Sequence, residues 1–248
     1  MLDSPRFLLA ACFLTAACSA HAPGVIAAGH VMRASNDYGV VAEIRVDRVE
    51  PDPTDSSGEL SLYTVSVAED DGEGWTSFCA PDAEGVAKAI PLSGRWDETG
   101  KYHDDGTVTF ACTAGVIAKC VRWGYVPWKS IGDVSLKDAH LACVRMARAD
   151  YCGDGIGHTR DGTMIDLFDT MGIQKRETST MEFEAAWSPH GATYLRRPRF
   201  GRTEEIVDAC PEKLAGRTTP DVGDLSLEEI VRRWPDTIVF NESFAGRD

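Results

Sequence analysis

The sequence predicts an α+β fold with a largely antiparallel β-sheet, a few short helices and a framework of disulfide bonds. Strand patterns dominate residues 37–113 and helix patterns are concentrated after them, without the strand-helix-strand alternation of a parallel sheet. Six cysteines follow an apparent export signal, and an even number favours disulfides in an oxidising compartment. We therefore expect one α+β unit over residues 37–248.

The strands of the first half are predicted by alternating apolar and polar residues between turn-forming segments. The clearest alternation runs through residues 60–67, and residues 51–58, rich in Pro, Asp, Ser and Gly, form a loop before it. The predicted strands of this β-rich half are residues 39–49, 60–67, 75–79, 86–91 and 107–113.

Three helices are predicted in the second half, at residues 114–123, 136–149 and 227–234. Ser135 and Ser226 each precede an acidic residue at the spacing of a capping box, which marks a helix start. Along helix 136–149, apolar residues share one seam, and the outer side carries Lys137, Arg145 and Arg148. Further strands are expected at residues 180–187 and 192–195, and at 164–168 after an Asp161-Gly162 hairpin turn.

The N-terminus has the pattern of a bacterial signal peptide. An uncharged run over residues 7–17 is too short to span a bilayer, and the residues before Cys18 resemble a lipobox, the site of lipoprotein acylation. We expect residues 1–17 to be removed, Cys18 to carry acyl chains in the lipid bilayer of the cell envelope, and residues 18–36 to form a tether. Acylation at Cys12 and ordinary cleavage after Ala22 are the alternatives.

The acidic balance of the chain limits its partners. The formal net charge is −14, with 39 acidic residues against 25 Lys and Arg. Such a charge repels phosphate backbones, so nucleic acid is excluded as a general partner, as is polybasic docking on anionic lipid.

The cysteine spacing suggests a disulfide pattern. Short local loops would pair Cys112 with Cys120 and Cys143 with Cys152, leaving Cys79 with Cys210. Because Cys143 lies in the middle of a predicted helix, it could instead pair with Cys120 on a neighbouring helix.

The segment around Ala149-Asp150-Tyr151-Cys152 is the most distinctive in the chain. With Phe110-Ala111-Cys112-Thr113 before it and Trp187-Ser188-Pro189-His190-Gly191 after it, this tetrad resembles the ADYC-domain family of exported bacterial proteins. The resemblance covers residues 94–195, roughly. It implies an exported protein and assigns no chemistry.

Six residues in and after the tetrad are candidates for binding a ligand: Asp150, Tyr151, Asp154, His158, Asp161 and Asp166. Acidic side chains on glycine-rich turns can bind calcium, which makes Asp150, Asp154 and Asp161 a candidate site, although the spacing is not that of an EF-hand. His158 with Asp154 or Asp161 could form an acid/base pair. The alternative is that these aspartates only form turns.

Two other groups of residues allow either a functional or a structural interpretation. His140 and Cys143 could act as metal ligands or as a nucleophile pair, but a buried histidine beside a disulfide explains them better. Trp123, Tyr125, Trp128 and Tyr151 could stack on sugar rings, or pack in the core.

The sequence contains no GxSxG motif of serine hydrolases, no P-loop, no dinucleotide-binding glycine pattern and no HExxH motif of zinc proteases. We therefore expect a non-catalytic binding or structural role toward an unknown envelope protein or glycan, with no cofactor. The alternative is a hydrolase or lyase that acts on a cell-wall or extracellular polymer through the loop at residues 150–169.

Overall fold

A computed structural model describes residues 24–35, 39–69, 73–97, 99–132, 134–177 and 180–244. The expected signal peptide, Cys12 and Cys18 lie outside the described residues. Within these ranges, no helix combines the length and the apolar character needed to cross a membrane.

The first sheet confirms the β-rich first half. Its strands follow the order β1-β2-β3-β5-β6, with β4 also paired to β3, and every pairing is antiparallel. The strands are β1 (Val31–Ser35), β2 (Val41–Pro51), β3 (Ser61–Ala68), β4 (Trp75–Ser77), β5 (Ala89–Trp96) and β6 (Tyr102–Cys112). Because β1 lies within residues 18–36, the expected tether is too long and the folded body begins before Tyr38.

The second sheet has four antiparallel strands in the order β11-β10-β12-β9. They are β9 (Ile165–Asp169), β10 (Glu182–Ser188), β11 (Gly191–Leu195) and β12 (Val239–Ser243). The predicted Asp161-Gly162 hairpin is wrong: these residues form a turn, but in the described chain β9 pairs with the distant β12 alone. The segment before the turn is loop and offers no strand to pair with.

The predicted helices are present, together with short ones that the pattern did not indicate. Ser135 Oγ accepts the Lys137 N–H at the start of α2, and Ser226 forms the expected capping box with Glu229 at the start of α6. The helices are α1 (Val116–Arg122), α2 (Leu136–Arg148), α3 (Thr203–Ala209), α4 (Pro211–Leu214), α5 (Thr219–Val222) and α6 (Leu227–Arg233). A small hairpin of β7 (Ser130–Ile131) and β8 (Val134–Ser135) precedes α2.

Helix α2 lies at the centre of the molecule. Its buried residues pack against β10, β11 and β12 of the second sheet, and it also contacts α1, which in turn packs on β5 and β6 of the first sheet. A further apolar cluster lies around α6 and the aromatic residues Phe168, Tyr194 and Phe240 of the second sheet. These layers confirm the α+β class.

The six cysteines form Cys79–Cys112, Cys120–Cys143 and Cys152–Cys210. The pairing preferred from spacing is therefore wrong, whereas the alternative pair Cys120–Cys143, which joins α1 to α2, is present. Nearness in sequence fails as a guide, because a residue in the middle of a helix contacts a neighbouring element and not the segment that follows the helix. Cys143 in α2 therefore bonds to Cys120 in α1, and Cys152, beyond the end of α2, bonds to Cys210. The bridges connect separate elements across 33, 23 and 58 residues.

Candidate functional site

The tetrad at residues 149–152 begins where α2 ends. Ala149 adopts a left-handed conformation with φ of 51°, the positive φ of a helix C-cap, and its N–H bonds to the Met146 carbonyl. Its side chain is fully buried in the central core. Ala149 therefore turns the chain away from α2 without opening a gap in the packing.

Asp150 fastens the following loop to the helix. Its carboxylate accepts hydrogen bonds from the Arg145 guanidinium at 2.5 Å and from the N–H groups of Asp154 and Gly155 at 3.1 and 3.0 Å. Asp150 is fully buried. Because a buried carboxylate needs such partners, this arrangement is structural, and calcium would have to displace Arg145 to reach Asp150.

Tyr151 is also fully buried, and its hydroxyl is hydrogen-bonded within the protein. Its hydroxyl donates to Glu184 at 2.9 Å and accepts the backbone N–H of Arg199 at 2.7 Å, while its ring stacks on Trp187. Burial raises the pKa of the Tyr151 hydroxyl well above its usual range, and the Glu184 carboxylate raises it further. The phenol thus remains a neutral hydrogen-bond donor.

Arg199 and Glu184 form a buried ion pair around this hydroxyl. Arg199 Nε lies 3.0 Å from Glu184 Oε2 and Arg199 Nη2 lies 3.1 Å from Glu184 Oε1. The same guanidinium donates to the Ala147 and Met146 carbonyls at the end of α2. Sequence reasoning missed this pair, although a lone glutamate in an otherwise apolar half-strand, Glu184-Ala185-Ala186-Trp187, is a signal that could have found it.

The last member of the tetrad fixes the loop to the next structural layer. Cys152 is bonded to Cys210, and the Tyr151 carbonyl accepts the Ala192 N–H from β11. Gly153 follows with φ of 69°, and a Cβ there would come within 2.0 Å of the His190 carbonyl oxygen. Only glycine fits this close approach to the turn between β10 and β11.

The other sequence candidates do not converge. Asp154 and Asp161 are exposed, and Asp154 accepts the Ile156 N–H in a local turn. Asp166 is buried and accepts the Glu177 N–H at 3.0 Å, while His158 lies against the Tyr151 ring, with centroids 5.7 Å apart. Within the described residues, no three His, Cys, Asp or Glu side chains form a group that could hold a metal ion.

His140 and Cys143 have the structural arrangement expected of them. His140 is fully buried, with Nε2 at 2.9 Å from the Ile117 carbonyl and its ring edge against Trp96. Burial lowers the pKa of His140 to about 4. Since Cys143 is bonded to Cys120, it supplies no thiolate that His140 could activate.

The aromatic candidates do not form a shared platform. Tyr125 is buried and donates to Asp169 at 2.8 Å, and Tyr151 is buried in the network described above. Trp123 and Trp128 pack against two different apolar clusters. Their placement supports the core interpretation over sugar stacking.

A cleft of about 510 Å³ opens beside the tetrad. Five segments form its walls: the β5–β6 connection with the first residue of β6, one face of α2, the loop after the tetrad, the β10–β11 turn and α4. We call it the basic cleft, and its lining residues are Thr99, Lys101, Tyr102, Lys137, Leu141, Arg145, Gly153, Asp154, Pro189, His190 and Lys213.

The charges of the basic cleft contrast with the acidity of the whole chain. Among the described residues, Asp154 is the one carboxylate in its lining, and no carboxylate lies within 4.0 Å of Lys101, Lys137 or Lys213. Lys137 Nζ instead lies 3.4 Å from the centre of the Tyr102 ring, and Lys213 donates to backbone carbonyls. The cleft therefore presents positive charge that the described carboxylates leave unpaired.

Of the six sequence candidates, Asp154 alone lines the basic cleft. Lys137, Leu141 and Arg145 line it because residues four apart share one face of a helix, a spacing that the sequence displays. The expectation that Lys137 and Arg145 both lie on an outer, solvated side is wrong for Arg145, which is 5% exposed. Its guanidinium is held between Asp150 and the Thr99 carbonyl.

Comparison with known proteins places these features in a family. The model of the ADYC domain matches residues 27–201, which extends the resemblance well beyond residues 94–195 and includes the first sheet. No curated protein and no solved structure matches the chain. Since the match covers well over half of its length and includes the tetrad, the chain belongs to the ADYC domain family.

Proposed function

We propose that this protein is an exported envelope lipoprotein, anchored through Cys18, whose ADYC body has a non-catalytic binding role. The three disulfides support export, because such bonds persist in oxidising compartments. The body begins a short distance after Cys18, so the anchor would hold it close to the membrane surface.

The basic cleft is the observation that carries the binding role. Its volume is that of a small-molecule site, and its walls are joined by Cys152–Cys210 and by the buried Arg145–Asp150 pair. Such a cleft is largely formed before a ligand arrives, which reduces the entropy cost of binding. A glycan suits its size better than a protein surface does.

The alternative of a hydrolase or lyase has less support. It requires an acid and a base on either side of a substrate, within hydrogen-bond reach of the reacting atoms. His158 and Asp161 do not line the basic cleft, and Asp150 is bound to Arg145. Binding without chemistry therefore accounts better for the positions of the candidate residues.

The anchor is tested by labelling growing cells with radioactive palmitate. We expect the full-length protein to incorporate label and to fractionate with membranes, and Cys18→Ala to lose both properties. Cys12→Ala is the control, because Cys12 would be removed with the signal peptide. Unchanged labelling of the Cys18→Ala variant would contradict the assignment.

The binding role is tested by blocking the basic cleft. Leu141→Trp adds bulk to its wall, and Leu227→Trp makes the same change on α6, outside the lining residues. We expect calorimetry with a panel of soluble peptidoglycan and outer-membrane oligosaccharides to find a ligand that the Leu141→Trp variant no longer binds. Equal binding by both variants would place the binding role elsewhere.

A further inference from the structure

We propose that the basic cleft takes a phosphate group, carried on a scaffold of about the size of a sugar. This assignment rests on the proposed binding role and specifies its ligand. It concerns residues outside the ADYC tetrad, since the charge comes from Lys101, Lys137 and Lys213, with Arg145 behind them.

The first argument is electrostatic. Elsewhere among the described residues, Lys88 and Lys129 each have a glutamate partner, whereas Lys119 and Lys175 are single exposed lysines outside any such cluster. In the basic cleft, three lysines from separate elements line one space with one lining carboxylate among the described residues, while Arg145 behind them is paired with Asp150. Like charges repel, so the empty arrangement has a higher electrostatic free energy than a dispersed one, and a bound anion relieves the repulsion.

The second argument concerns the shape of the anion. Arg145 cannot bind a ligand with two parallel N–H groups, because Nη1 donates to Asp150 and to the Thr99 carbonyl and Nε donates to the Pro189 carbonyl. The planar, bidentate recognition that suits a carboxylate is therefore reduced. The lysines act as point charges from the β5–β6 connection, α2 and α4, and ammonium groups can bind the oxygens of a phosphate without a planar, bidentate arrangement.

The third argument is the remainder of the lining. Leu141, Tyr102 and Pro189 give the cleft apolar surface, and Thr99 adds polar groups. A volume of about 510 Å³ exceeds what a lone phosphate fills and lies in the range of small-molecule pockets. A sugar phosphate uses both parts, with its charged end at the lysines and its ring against the apolar side.

The test is calorimetry on the purified full-length protein at low ionic strength, with glucose 1-phosphate, glucuronate and glucose as probes. We expect glucose 1-phosphate to bind, with glucuronate and glucose each at least tenfold weaker. The Leu141→Trp variant should give no heat of binding with glucose 1-phosphate, and the Leu227→Trp variant should bind it as the unaltered protein does. The Kd should rise with added salt, because the contacts are between opposite charges.

Paired lysine variants separate a local site from the overall charge. We expect Lys101→Gln with Lys137→Gln to raise the Kd for glucose 1-phosphate by about 100-fold, at roughly tenfold for each charged hydrogen bond lost. Lys101→Arg with Lys137→Arg should retain binding within about threefold, since charge is kept. Lys119→Gln with Lys175→Gln, which removes two exposed lysines outside the lining, should leave the Kd within about twofold.

Several results would overturn the phosphate assignment. If both double glutamine variants lost the same affinity for glucose 1-phosphate, the overall charge of the protein would attract the ligand and the cleft would not be a specific site. Binding of glucose or glucuronate as tight as that of glucose 1-phosphate, still blocked by Leu141→Trp, would keep the binding role and remove the phosphate. Failure of glucose 1-phosphate to bind also removes it, whereas the oligosaccharide panel judges the binding role separately.

The phosphate could belong to a soluble glycan or to a lipid headgroup. Competition with glucose 1-phosphate by phosphatidylglycerol vesicles, and not by phosphatidylcholine vesicles, would identify a headgroup as the source. Absence of competition by both would identify a soluble sugar phosphate. Either result supports the same chemistry at the lysines.

Discussion

The buried pair of Glu184 and Arg199 gives the sharpest test of how the ADYC body is held together. Replacing Glu184 with Gln preserves the shape of the side chain but removes its charge. Arg199, which is 1% exposed, would then keep a full positive charge in the interior without a counter-ion. Its remaining partners are carbonyl oxygens and the Thr159 hydroxyl, which are neutral.

The size of the effect follows from the geometry. Two contacts of 3.0 and 3.1 Å join the guanidinium and carboxylate, and a unit-charge pair near this separation is worth about 4 kcal/mol at an effective dielectric constant of 20. Removing one partner of a buried pair typically costs about 3–5 kcal/mol. For a domain of this size we expect a fall in Tm of roughly 6–20 °C.

The matched control is Glu182→Gln, the same substitution two residues earlier on β10. The Glu182 carboxylate pairs with Arg197 but is 73% exposed, so its loss should cost less than about 1 kcal/mol. Urea unfolding of both variants with disulfides intact gives the comparison. If Glu184→Gln unfolds within 1 kcal/mol of Glu182→Gln, the buried pair does not stabilise this fold in the way proposed.

Three further predictions concern stability. Removing the Cys152–Cys210 bridge by a double alanine substitution should lower the free energy of unfolding by about 4 kcal/mol, because the bridge closes a loop of 58 residues; an unchanged urea midpoint would contradict this. Burial lowers the folded-state pKa of His140 to about 4, so the free energy of unfolding falls as the pH falls from about 6.5 toward 4, where the unfolded chain binds a proton that the folded chain does not; His140→Leu should reduce that fall by about 2–3 kcal/mol in urea titrations at pH 7.5 and 4.5. Ser226→Ala should cost about 1 kcal/mol by removing the cap of α6, and Ser56→Ala at an exposed loop position serves as the comparison.

Elements with local signals could be predicted from the sequence. Helix α6 has a capping box and an apolar stripe, and β3 alternates clearly, so both were found close to their observed bounds. Strand β12 gave no such signal, because all five of its residues are buried, including Asn241 and Glu242. In the sequence, these polar residues suggest an exposed segment. In the structure they are buried because Asn241 accepts a hydrogen bond from Trp187 and Glu242 pairs with Arg176.

The position of the cleft could not be predicted from the sequence for a different reason. Acidic and glycine residues after a helix are typical of a ligand-binding loop and also of a loop that only forms turns. In the structure, the Asp150 carboxylate accepts hydrogen bonds from Arg145 and from the loop backbone. The basic cleft is assembled from segments that are far apart in the chain. Only the shared face of Lys137, Leu141 and Arg145 is visible in one stretch of sequence.

The tetrad nevertheless shapes the basic cleft. Asp150 positions Arg145 in the wall, the Cys152 carbonyl accepts Lys213 Nζ, and Gly153 brings the tetrad loop against the β10–β11 turn. Substitutions in the tetrad should therefore reduce stability and ligand binding together, because the walls lose their support. Substitutions of Lys101 or Lys137 to glutamine should weaken ligand binding and leave the fold intact.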